Sequence, residues 1–187
     1  MRKIFLFMMV TLDGYMEGPE HDISWHHVDS EFEEFAIEQL QEVDTLVMGR
    51  KTYQLMEEFW PSEEGLKGDP ETAKLMNSTP KIVISRTLAN VKETENWKHV
   101  RLINDNIKEE VERLKNQEGK DIAVLGSNNL CVTLLEEGLL DELRIMVNPV
   151  AIGKGTPLFV GLKNKTEFQL SKTRTFKNGN VLMYYSA

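Results

Sequence analysis

One cysteine in 187 residues, Cys131, leaves no partner for a disulfide and no cysteine cluster for zinc. A chain without a disulfide framework is expected in a reducing compartment, the cytoplasm. The four histidines, His21, His26, His27 and His99, fall at no spacing with one another or with carboxylates that would build a metal site. Basic residues are in the minority, 22 Lys and Arg against 30 Asp and Glu, for a net charge of -8. That sign argues against a nucleic-acid partner, whose phosphate backbone draws on clustered cations. No apolar run approaches the roughly 18 residues that a bilayer demands, so no membrane partner is expected. The run at residues 4–10, behind Arg2 and Lys3, imitates a signal peptide but passes into Thr11-Leu12-Asp13-Gly14 with no small-residue cleavage pattern. Internal repeats, low-complexity tracts and shifts of composition are missing too, so residues 1–187 are expected to form one domain.

What is present is alternation. Short apolar runs recur at residues 4–12, 45–48, 81–84, 100–103, 121–125 and 143–147, separated by amphipathic stretches of helical period. This pattern predicts an α/β fold with a mostly parallel central sheet flanked by crossover helices. Residues 30–43 place Phe32, Phe35, Ala36, Leu40 and Val43 on one helical face, and Ser30 with Glu33 reads as a capping box. Glu31, Glu34 and Glu38 of that helix are expected to be solvated, with Glu31 alone near the border of the apolar face. Residues 107–114 and 130–135 predict further helices. Two strand-like runs, 167–175 and 181–185, flank Lys177-Asn178-Gly179-Asn180, and Asn-Gly is the strongest short hairpin signal. The sheet is therefore expected to be mixed, with a C-terminal antiparallel hairpin. Residues 61–80, carrying Gly65, Gly68 and Pro70, read as a long irregular stretch, either a lid or a plain surface excursion.

Open α/β sheets bind ligands outside the carboxyl ends of their strands. Four runs end in residues with chemistry to offer. The run 45–48 ends in Gly49-Arg50-Lys51-Thr52 before a helix. Two cations in a first helical turn oppose the positive end of the helix dipole, at about 0.3–1 kcal/mol each. A bound anion reverses that sign, because free amides, the Thr52 hydroxyl and both side chains then converge on it. The bland reading is a glycine turn with two solvated cations. Ser85-Arg86 ends the next run and suits a phosphate monoester such as the adenosine 2′-phosphate of NADP, against the bland reading of an exposed loop arginine. Gly126-Ser127 allows either close backbone approach to a ligand or simple helix capping. Asp13, with Gly14 after it, is the best placed proton source for a reduction, although Asp-Gly is also a routine turn. Trp25 either packs on a planar substrate or closes the core. No Gly-x-Gly-x-x-Gly fingerprint exists, and Gly153-Lys154-Gly155-Thr156 lacks the spacing of a Walker A loop.

These pieces together resemble the dihydrofolate-reductase-like fold, and within it the reductase domain at the C-terminal end of the bifunctional riboflavin-biosynthesis protein, the RibD type. The resemblance rests on Thr11-Leu12-Asp13-Gly14, Leu46-Val47-Met48-Gly49-Arg50-Lys51-Thr52-Tyr53, Ile82-Val83-Ile84-Ser85-Arg86 and Leu125-Gly126. Its most specific block is Gly138-Leu139-Leu140-Asp141-Glu142-Leu143-Arg144-Ile145, followed by Asn148-Pro149-Val150, Gly153-Lys154-Gly155 and Pro157-Leu158-Phe159. It implies an NADPH-dependent reductase of a small heterocycle, similar to 5-amino-6-(5-phosphoribosylamino)uracil reductase. It also implies roles for residues. Gly49, Arg50, Lys51 and Thr52 would meet the phosphates, Ser85 and Arg86 the adenosine side, and Gly126 with Ser127 the pyrophosphate. Asp13 and Gly14 would lie near the nicotinamide and substrate; from the residues themselves, Asp13 is the catalytic candidate and Trp25 the candidate substrate contact. Where the family shows a glycine pair, this chain has Gly126-Ser127. No His-x-Glu with Pro-Cys-x-x-Cys motif occurs, so the zinc deaminase of the bifunctional enzyme is expected to be missing. Relatives of this type often pair, which implies a homodimer acting on a small-molecule substrate. Reduction of dihydrofolate or another carbonyl compound, and nucleotide binding without turnover, are the competing readings.

Overall fold

The first apolar run forms β1 (Ile4–Thr11), buried along almost its whole length because it lies inside a sheet covered on both faces. The computed structural model describes residues 1–187. Along the chain there follow β2 (Tyr15–Glu17), α1 (Ser30–Gln41), β3 (Val43–Gly49), α2 (Arg50–Phe59), α3 (Glu63–Gly68), α4 (Pro70–Ser78) and β4 (Lys81–Ile84). The second half comprises β5 (Val100–Ile103), α5 (Ile107–Lys115), β6 (Asp121–Val124), α6 (Asn128–Glu136), β7 (Glu142–Asn148), β8 (Thr156–Pro157), β9 (Gln169–Thr175) and β10 (Val181–Ser186). Eight strands make one sheet in the order β5-β4-β3-β6-β1-β7-β10-β9, and β2 pairs with β8 in a small separate ribbon. The six strands from β5 to β7 are mutually parallel, while β10 runs antiparallel to both β7 and β9. The mixed, mostly parallel sheet and its C-terminal hairpin are those expected.

Strand period two sorts the core. Ile4, Leu6, Met8 and Val10 of β1 enter a cluster with Val111 and Leu114 of α5 and with Leu130, Cys131, Leu134 and Leu135 of α6. Phe5 faces the other way, toward Leu40 of α1, Tyr53 of α2 and Met76 of α4. Each such side chain contributes about 1.5–3 kcal/mol by leaving water. No helix is long and apolar enough to cross a membrane.

Three local expectations are corrected. The N-cap of α1 is Asp29, whose carboxylate accepts from Phe32 N at 2.9 Å, so Ser30 already lies inside the helix and forms no capping box. An aspartate caps as well as a serine, and it stands one residue earlier. Val43 does not end the helix but begins β3. Residues 61–80 are not an irregular loop, because they hold α3 and α4. The residues that suggested a loop are helix punctuation. Ser62 and Asp69 cap the two helices, Pro70 takes a first-turn position of α4, and Gly65 lets α3 rest on the end of α2, where a Cβ would lie 2.4 Å from Phe59 O.

Candidate functional site

The strand order brings the ends of β4, β3, β6 and β1 side by side, so Ser85-Arg86, Gly49, Gly126 and Thr11 line one edge of the sheet in that sequence. At its middle, Gly49 N donates to Gly126 O at 2.8 Å and Leu125 N donates to Val47 O at 3.0 Å. Gly49 is the N-cap of α2 and Ser127 the N-cap of α6. A Cβ on Gly49 would stand 2.9 Å from Ser127 Oγ, so the two helix starts are in contact only because residue 49 has no side chain. Gly126 has φ +111, and a Cβ there would reach Thr52 Oγ1 at 3.1 Å. The Gly126-Ser127 peptide is cis.

The helix caps set these two termini apart. Helices α1, α3 and α4 each carry a capping side chain and acidic residues in the first turn. Helix α5 lacks the cap but has Glu109 and Glu110. Helices α2 and α6 have neither. Their first-turn amides therefore lack side-chain acceptors, and about half a positive charge at each terminus goes uncompensated. Arg50 and Lys51 add two exposed cations, and neither they nor Arg86 makes a salt bridge in a protein of net charge -8.

On one flank, the buried Ser85 hydroxyl accepts from Thr87 N at 3.2 Å and Leu88 N at 3.1 Å, so it shapes the turn that presents the exposed Arg86. On the other, Asp13 forms a clasp. Its carboxylate accepts from Thr11 Oγ1 at 2.6 Å, Gly153 N at 2.7 Å and Ile152 N at 3.1 Å, tying the end of β1 to the loop after β7. The Thr11 hydroxyl and then the Gly153 amide hold its carboxyl below the usual carboxylate range. A carboxylate stabilised in this way suits holding a loop better than giving up a proton. Gly14, at φ +86, completes the Asp-Gly turn, and open space lies where its Cβ would be.

With that geometry in place, comparison with known proteins is decisive at the family level. The RibD C-terminal domain matches residues 2–182. The chain belongs to the RibD C-terminal domain family. "Uncharacterized protein YyaP" of Bacillus subtilis (strain 168) is 38% identical over 186 residues, which are 98% of this chain and 94% of that protein. Among solved structures, a pyrimidine reductase-like protein of Corynebacterium diphtheriae NCTC superposes with a TM-score of 0.68 at 16% identity, covering 99% of this chain and 91% of that one. The diaminohydroxyphosphoribosylaminopyrimidine deaminase/5-amino-6-(5-phosphoribosylamino)uracil reductase of Thermotoga maritima gives 0.73 at 15% identity, covering 99% of this chain and 56% of the longer protein. Within the RibD C-terminal domain, the serine of Gly126-Ser127 is accommodated by the bare Cα of Gly49, against which its hydroxyl packs.

Trp25 is corrected toward the core. It is buried in a cluster with Met9, Phe35, Met146, Phe176 and Leu182, and its Nε1 donates to Asp22 O at 3.1 Å. An indole filling that space is not a free face for a substrate ring.

Sequence reasoning missed how the segment around Trp25 is fastened. Asn148 Oδ1 accepts from His27 N at 2.9 Å and Asn180 Nδ2 donates to His27 O at 2.9 Å, and both asparagines are wholly buried. The available signal was an asparagine closing the apolar run of β7, since that residue is depleted in strands. Next to the pinned peptide, the His26 ring lies edge-on to Trp25, and its Nε2 is buried without a partner. Burial drops its pKa from 6.5 to about 4, against a smaller upward pull from Asp22. The folded state thus binds fewer protons than the unfolded chain between those values. The stabilising contribution is present above pH 6.5 and is lost as pH falls through about 4, in total of order 3 kcal/mol. Urea unfolding at pH 7 and pH 4.5 should show a larger acid loss for the wild type than for His26→Gln, and equal losses would contradict this assignment.

Proposed function

We propose that the protein is an NADPH-dependent reductase of a small heterocyclic substrate, of the riboflavin-pathway type that its family suggests. The observation that carries this reading is the meeting of two uncapped helix starts, α2 and α6, at Gly49 and Gly126-Ser127. A dinucleotide pyrophosphate fits them by charge and by shape. Orphan amides, Arg50, Lys51 and the Thr52 hydroxyl would bind it, and a Cβ at Gly49 or Gly126 would crowd the cradle. Arg86 lies one strand to one side, for an adenosine 2′-phosphate, and Gly14 two strands to the other, for nicotinamide and substrate. From β4 to β1 this row spans about 14 Å, three interstrand steps of about 4.8 Å.

Bound NADPH would supply the hydride. The protein's own part is to hold and orient. Arg50 and Lys51 neutralise phosphate charge, and Asp13, ionised, keeps the loop carrying Ile152 and Gly153 against the end of β1. A pterin substrate is disfavoured, because the buried residues of α1 are Phe35, Gln39 and Leu40, with no carboxylate among them.

Arg86→Ala is expected to weaken NADPH binding about tenfold or more, the loss of one charge-assisted contact, while changing NADH affinity little. Fluorescence titration with both cofactors measures this, and an equal effect on both would remove the adenosine-phosphate role. Oxidation of NADPH in the presence of a ribosylaminopyrimidine substrate, followed by absorbance, tests turnover; no oxidation by a cofactor-binding protein would leave binding and remove the substrate class.

A further inference from the structure

One cation of the cradle is already engaged. Lys51 Nζ lies 3.2 Å from His21 Nε2, His21 Nδ1 lies 2.9 Å from Glu17 Oε2, and Glu17 Oε1 accepts from Thr156 Oγ1 at 2.9 Å. These four side chains form a continuous line from the β2/β8 ribbon to the first turn of α2. The ribbon follows β1 and α2 follows β3, and between those two strands lies β6, whose end leads through Gly126-Ser127 into α6.

The donor inventory assigns a role to each ring nitrogen in this arrangement. An ammonium only donates, so Nε2 is the acceptor and Nδ1 carries the proton given to Glu17. With Nε2 accepting, its one lone pair is spent on Lys51. The backbone behind it is held in place at some cost. Glu20 and His21 sit consecutively in the left-handed region, at φ +57 and +64, which L residues resist. Hydrogen bonds from Gly18 N to Asp22 O at 2.7 Å and from Asp22 N to Pro19 O at 3.1 Å close this tight bend. A surface contact such as Lys51 to His21 is individually weak, and the His21 side chain is 59% exposed, so a stronger partner for the ammonium displaces it readily.

We propose that His21 is a further anion ligand of the cofactor cradle, one that takes up a proton when the cofactor binds. A phosphate oxygen takes the place between Lys51 and the imidazole. The Nε2 lone pair, freed from the ammonium, accepts a proton from solvent, and its new N–H donates to the phosphate. Glu17 holds the resulting imidazolium through Nδ1–H. Glu17 from β2 and Lys51 from α2 are the charged groups in contact with the ring, with Glu20 and Asp22 flanking it along the chain. This inference rests on the cofactor reading above and adds to it a residue and a proton.

Imidazoles titrate between about pH 5 and 8, so wild-type affinity for NADPH is expected to rise about threefold to tenfold from pH 8 to pH 6, relative to a variant that cannot take the proton. His21→Gln keeps an oxygen to accept from Lys51, and His21→Asn better tolerates the left-handed backbone. Using one cofactor across all three proteins cancels its own titration. Isothermal titration calorimetry with NADPH in buffers of different ionisation enthalpy counts the protons directly. Proton uptake in the wild type that disappears in both variants is the expected result. Binding without proton uptake, or uptake that persists in both variants, overturns the role of His21 while leaving NADPH binding intact. A folded wild type that does not bind NADPH at either pH overturns the cofactor reading, and the proposal falls with it.

Discussion

Alanine at both Arg50 and Lys51 is expected to weaken NADPH binding about 100-fold or more while leaving the folded protein no less stable. Each cation offers a charge-assisted contact to phosphate worth about 1.5–3 kcal/mol, and each 1.4 kcal/mol is a factor of ten in affinity. In the ligand-free protein the same cations oppose the positive end of the α2 dipole, so their removal relieves about 0.3–1 kcal/mol apiece, against which Lys51 gives up only its weak, exposed contact to His21. Affinity and stability are thus expected to move in opposite directions, which separates a binding role from a structural one. Thermal unfolding without ligand, paired with fluorescence titration, measures both. An unchanged affinity would show that the cations are solvated surface residues.

The second large effect belongs to Gly49. Valine there would carry a Cβ 2.9 Å from Ser127 Oγ and 3.3 Å from Ser127 N, driving the starts of α2 and α6 apart. Overpacking of this kind costs about 1–3 kcal/mol, and the displaced amides would no longer converge on one anion, for a loss of about 100-fold in NADPH affinity. Adding Ser127→Gly removes the nearer contact but not the backbone one, so the double variant is expected to recover part of both losses. Denaturant unfolding and cofactor titration of the two variants check this, and a Gly49→Val protein with wild-type affinity would mean that the helix starts do not share a ligand.

The strands were legible because buried parallel strands are written as apolar runs, and so were the residues at which they stop. The candidate edge followed directly, since Gly49, Ser85-Arg86 and Gly126-Ser127 are strand ends that the sheet order only had to bring together. Caps were less legible. Asp29 and Ser30 are adjacent capping residues, and only the hydrogen bond to Phe32 N tells them apart. In residues 61–80 the glycines and prolines that end helices look the same in one dimension as those that make loops. What stayed hidden depends on contacts between distant parts of the chain. Asp13 meets Ile152 and Gly153 across about 140 residues, a clasp that no local pattern announces. His21 meets Lys51 across 30 residues at no helical or strand period. Trp25 joins the core through partners from four other elements and the hairpin turn, which no spacing rule contains.

Fluorescence titration of the folded wild-type protein with NADPH and with NADH bears most directly on the paired helix starts as a dinucleotide cradle. Saturable binding of NADPH, tighter than that of NADH and weakened by loss of Arg50 and Lys51, is the predicted result. No saturable binding of either cofactor would contradict it.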